Sequence, residues 1–140
     1  MNKKIILAAL VGGIAFFFAG WLLYGILLAD FTTANFNQCM ARKMEDMVWW
    51  AIIASNLSSA LFIAIIFYWT KTTTLLGGIK MGAFIGLFTG LGFDLSFHSM
   101  NSMFQSEFAI LIDVGMGTLM SALAGGLIAL VLGSGKEKAA

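Results

Sequence analysis

Asp94, His98 and Asp113 are the residues of this sequence best placed to do chemistry together. Asp94 and His98 stand four residues apart, one turn of a helix. Asp113 follows Glu107 by six residues, about 9 Å along a helix. If the helices that carry them run antiparallel across a short link, the three side chains converge. Two carboxylates held close cannot both ionise easily, and an imidazole titrates near neutral pH, so the chemistry is proton or cation handling. Asn56, flanked by Ser55, Ser58 and Ser59, adds a polar stripe on another helix. The competing reading is structural: Asp94 and His98 hydrogen-bond at a rim, and Asp113 ties its helix to a Ser or Asn of a neighbour. A soft-metal reading draws on Cys39, Met40, Met44, Met47, His98, Met100 and Met103, whose ligand types suit Cu(I). Methionine is also a general packing residue, and no paired-cysteine motif accompanies it, so neither metal nor cofactor is assigned. The sequence has no Gly-x-Ser-x-Gly elbow and no phosphate-cradling Gly-Lys loop, and the chain is not expected to be an enzyme.

The elements that must position these residues are set by composition. Of 140 residues, 60% are hydrophobic and 11% charged, with a mean hydropathy of +0.94. Soluble domains carry about a quarter charged residues, so a soluble globule is excluded. A net charge of +1 leaves no basic footprint for nucleic acid. Four apolar runs, 5–28, 47–69, 75–97 and 108–132, are each long enough to cross a bilayer as a helix. The fold class read from this is all-α: one integral membrane domain over 1–140, a bundle of four transmembrane helices. Lys3 and Lys4 ahead of the first run resemble a secretory signal. The run is too long and too aromatic for one, so it reads as a span.

Between the first two spans, Phe36, Met40, Met44 and Met47 recur at helical spacing. This predicts a short outer-face interfacial helix leading into the second span. Lys3, Lys4, Lys71, Lys80, Lys136 and Lys138 fall on one side of the bilayer, and Arg42 and Lys43 on the other. The excess of positive charge predicts that both termini are cytoplasmic. Trp49 and Trp50 open the second span and Tyr68 and Trp69 close it, as interfacial anchors do; Tyr24 is read the same way.

Proline is absent, and the glycines are ordered. Gly78, Gly82, Gly86 and Gly90 step by four along the third span, with Asp94 and His98 continuing the row. Gly117, Ser121 and Gly125 do the same on the fourth. Small residues at this spacing let backbones approach where lipid offers no hydrophobic drive. They predict a close antiparallel hairpin of spans three and four. An exact four-residue step drifts about 40° around a helix, so Gly78 and His98 cannot face the same neighbour. A faint echo between 10–14 and 75–79 suggests two related hairpins.

The stretch 17–36, with Ala19-Gly20-Trp21-Leu22-Leu23-Tyr24-Gly25, resembles the first span of a bacterial family of small four-helix inner-membrane proteins of unknown function. Gly90-Leu91-Gly92-Phe93-Asp94 through Met103-Phe104 is similar to that family's third-span ending. The resemblance implies a four-span bundle in the bacterial inner membrane and lends no activity. The leading expectation is a small inner-membrane protein acting through helix packing or partner association. It would sit in the lipid bilayer, with a homo-oligomer or another membrane protein as partner. The alternative is a small proton- or cation-coupled transporter using Asp94, His98 and Asp113.

Overall fold

A backbone in a hydrocarbon layer must satisfy its N–H and C=O groups within itself, and the long apolar runs of this chain do so as helices. The computed structural model describes residues 2–40 and 42–134. In chain order these form α1 (Lys3–Leu22), a π turn (Leu23–Leu27), α2 (Ala29–Asn35), α3 (Trp49–Thr70), α4 (Leu75–Met100) and α5 (Glu107–Gly133). With its π turn, α1 makes one span, and α3, α4 and α5 make the other three; each is long and apolar enough to cross a membrane. The protein is a multi-pass helical membrane protein. Lys136 and Lys138, used above for orientation, and the side chain of Met44 lie outside the described residues.

Caps fix the helix ends. The side chains of Asn2, Thr74 and Ser106 accept from backbone N–H groups in the first turns of α1, α4 and α5. α3 stops at Lys71, which takes the left-handed conformation (φ 54°) and lets the chain reverse into α4. Near that reversal, Lys4 Nζ donates to the Ser134 carbonyl at 2.6 Å, holding the start of α1 to the end of α5. The end of the bundle where Lys4 meets Ser134 is the terminal end, and the opposite one the distal end.

α5 is the hub. It packs most extensively on α4, also on α1 and less on α3, while α1 and α3 form the other principal pair. The core where α1, α3 and α5 meet is built from small side chains. Ala8, Ala60, Ala64, Ala124 and Ala129 are fully buried around Phe67 and Ile128. Gly12 belongs to this contact: a Cβ there would lie 2.6 Å from Ile128 Cγ1 and 3.1 Å from Ala60 Cβ.

The α4–α5 hairpin is the closest approach. A Cβ on Gly125 would come to 2.6 Å from the Gly78 carbonyl oxygen and 3.0 Å from Gly82 Cα. One on Gly86 would come to 2.6 Å from Ser121 Oγ, and Gly78 and Gly82 are equally tight against Gly125 and Ser121. The row loosens toward the distal end. Around Gly90 the nearest atom is Val114 Cα at 3.7 Å, and at Gly117 a Cβ would meet open space. Gly90 and Gly117 therefore lie on the expected row without being needed as glycines.

The connection 29–48 departs from the expected single helical face. α2 ends at Asn35, and two short 3₁₀ turns follow, Gln38–Met40 and Met44–Asp46. Phe36 is extended, and Met47 lies outside any helix. Local side chains stop the helix. Asn35 donates to the Phe31 carbonyl, and Gln38 Nε2 donates to the carbonyls of Thr32 (3.1 Å) and Phe36 (3.0 Å). Phe36 then pairs with Phe104 instead of continuing the helix.

The spacing makes a graded expectation. Gly125→Leu or Gly86→Leu should destabilise the protein in detergent by about 1–3 kcal/mol through overpacking. Gly90→Ala should stay within about 0.5 kcal/mol of wild type. Thermal unfolding of the three variants side by side checks it, and equal midpoints would refute the assigned contact.

Candidate functional site: a buried carboxyl pair

Asp94 is carried by α4 one turn beyond Gly90, and only 4% of its surface is exposed. The drift of the glycine row explains why. Gly78, Gly82 and Gly86 are buried against α5, Gly90 half-buried, and Asp94 rotates onto the inner side near the distal end. There its carboxyl lies against that of Asp113 from α5, within hydrogen-bonding reach. One further four-residue step takes His98 off this side. His98 is exposed, with its ring tilted toward Phe104 at 6.5 Å.

The third member of the cluster is Tyr24. Its hydroxyl donates to Asp113 Oδ1 at 2.7 Å and lies 3.4 Å from the Asp113 carbonyl oxygen. Tyr24 sits in the π turn, which closes with an N–H of Leu28 bonding the Leu23 carbonyl at 2.7 Å. The widened turn inserts an extra residue into the helical repeat and re-aims the side chains that follow. Sequence reasoning placed Tyr24 in an interfacial belt. The signal available was its depth: a phenol at the distal end of the first span lies level with an acid one and a half turns into the last span, because the two helices run antiparallel.

Hydrogen bonding in the cluster is unbalanced. Asp113 receives the Tyr24 hydroxyl, whereas Asp94 Oδ2 is buried with no hydrogen-bond partner among the described residues. No lysine, arginine or histidine among the described residues bonds to either carboxyl. A contact between two carboxyl groups is a hydrogen bond only when one of them carries a proton.

An aromatic cap closes the distal end above the pair. Phe104, Ala109, Ile110 and Val114 form a second buried cluster, with Phe31, Phe36 and Leu91 packed on it. The cap joins two connections far apart in sequence. Asn37 N–H donates to the Met103 carbonyl (2.8 Å) and Gln105 N–H to the Asn35 carbonyl (3.0 Å). The rings of Phe36 and Phe104 meet edge to face at 5.1 Å. The sequence carried no periodic signal for this, since residues 101–106 are irregular.

The other polar candidates lie elsewhere. Asn56 is half-buried on α3 and lines an apolar cleft of about 290 Å³ against Gly13, Phe17 and Phe18 of α1. The structure does not bring it to Asp94 or Asp113. Cys39 is an exposed free thiol, and among the described residues no three His, Cys, Asp or Glu side chains converge as a metal site.

Comparison with family models, curated proteins and solved structures finds no match for this chain. The reading of the site rests on its geometry.

Tyr24→Phe removes the donor to Asp113 and should cost about 1 kcal/mol, within the range of interhelical hydrogen bonds in membranes. His98→Ala should be neutral within about 0.5 kcal/mol. Reversible unfolding of both variants in mixed micelles tests the assignment, and a larger loss for His98→Ala than for Tyr24→Phe would overturn it.

Proposed function

We propose that this is a small inner-membrane protein that acts by associating with another membrane helix rather than by catalysis. The observation that carries this is the outer face of α3. Ser55, Ser58 and Ser59 lie near the middle of a membrane-crossing helix, and all three are exposed. Ser55 returns its hydroxyl to the Ile52 carbonyl at 3.0 Å. Ala51, Ser55 and Ser59 are four residues apart, and so are Ala54 and Ser58. Hydroxyls and small side chains at mid-depth are poor lipid-facing groups and good helix-facing ones, because they permit close backbone approach and interhelical hydrogen bonds. Gly78, Gly82 and Gly86 on α4 and Ser121 and Gly125 on α5 are covered by a neighbouring helix, whereas the three serines on this face of α3 are not.

Further parts of the proposal rest on the sequence. The lysine distribution supports cytoplasmic termini. The resemblance to small bacterial four-helix membrane proteins supports the inner membrane. The segment from α2 to Asp46 would then lie at the outer interface, with exposed Met40, Met47, Trp49 and Trp50 toward the lipid headgroups.

Proton- or cation-coupled transport through Asp94, His98 and Asp113 has narrower support. The carboxyl pair is present, but His98 stands outside it and the aromatic cap covers it. Flux into liposomes that depends on pH and is lost in Asp113→Asn would replace the association reading with transport.

Association is tested by a single cysteine at Ser59 in a Cys39→Ser background, crosslinked in native membranes. The expected result is a product larger than the monomer that disappears with Ser55→Leu. Monomer alone at every crosslinker length would refute the proposal.

A further inference from the structure

We propose that Asp94 and Asp113 form a proton-binding site, holding one proton between their two carboxyl groups. This goes beyond the association reading, because it concerns the α4–α5 junction and not the outer face of α3.

Three observations carry it. The carboxyls lie against one another across the hairpin. Asp94 is 96% buried by the 4% exposure given above, and its Oδ2 is left without a protein partner. A buried charge is retained only when it is paired, and no cation among the described residues bonds the pair. The titratable groups facing Asp94 are Asp113 from α5 and Tyr24 from the π turn. Asp30, His98 and Glu107 at the same end are exposed.

A proton meets this need better than a metal ion does. A hard cation takes six or more oxygen ligands, and the cluster supplies two carboxyls and one phenol. A single proton leaves the pair with one negative charge, onto which Tyr24 donates through Asp113 Oδ1. Asp113, which is half-buried, is the more accessible carboxyl of the two. Loss of that proton sets two negative charges face to face, which pushes the distal ends of α4 and α5 apart beneath the cap. The pair is thus a proton-controlled latch at the distal end of the α4–α5 hairpin.

Infrared spectroscopy of the full chain in lipid vesicles tests this directly. At neutral pH the wild type should show a protonated-carboxyl band that shifts in heavy water and vanishes in both Asp94→Asn and Asp113→Asn. No such band in the wild type means that both acids are ionised, and the proposal falls. A band surviving in either variant means that the acids are protonated separately, and the shared-proton site falls. The wild type supplies a second readout independent of variant folding. Its thermal midpoint should drop as pH rises through the range in which only the folded state holds this proton, because unfolding then releases it. A midpoint flat from acid to alkaline pH would overturn the latch. Crosslinking at Ser59 is expected to be indifferent to Asp94→Asn, so the two proposals fail separately.

Discussion

The distance between the α4 and α5 backbones governs the rest of this structure. Lipid gives two apolar helices no hydrophobic reason to meet, so the contact depends on packing and on side chains small enough to permit it. Gly78, Gly82 and Gly86 on one helix and Gly125 on the other leave no room for an added Cβ, and Ser121 packs against Gly82 and Gly86. That closeness brings the Asp94 carboxyl to Asp113. It also places α5 where it can serve α1 and α3 on its other side, with Ile128 against Gly12 and Phe67 beside Gly125. A wider hairpin would separate the acids and leave Asp94 to the lipid, where a charge is costly.

The parts legible in the sequence were those decided by local pattern. Four apolar runs became four spanning helices because the bilayer permits little else. The glycine row foretold the hairpin because a four-residue step is a direct statement about one helix surface. The same row, extended to His98, misled. The drift of about 40° per step accumulates along the row, so that Asp94 is still buried and His98, one step further, is exposed. The convergence of Asp94 and Asp113 could be reasoned from antiparallel geometry. The part played by Tyr24 could not, because a π turn sets its direction and nothing in Leu23–Leu27 marks that turn.

The distal connections were illegible for a different reason. Phe36, Met40, Met44 and Met47 have helical spacing, but spacing describes only what a helix would do if one formed. Gln38 caps the carbonyls of α2, and Phe36 finds a better partner in Phe104, nearly half the chain away. Tertiary pairing overrode local periodicity, as it does wherever a short segment has little helix-forming strength of its own. The resulting cap belongs equally to both halves of the chain, and neither half announces it.

The position of α5 as hub has a consequence for biogenesis. A ribosome delivers this helix after the other three, so the early spans enter the bilayer before their main support exists. The α1–α3 pair can form at once, because Gly13 meets Leu57 without help from later residues. α4 has no such early partner. It must wait in lipid with its glycine face bare and Asp94 unburied until α5 arrives. The last of the four spans to be made is therefore the one that converts a loose set of inserted helices into a folded bundle.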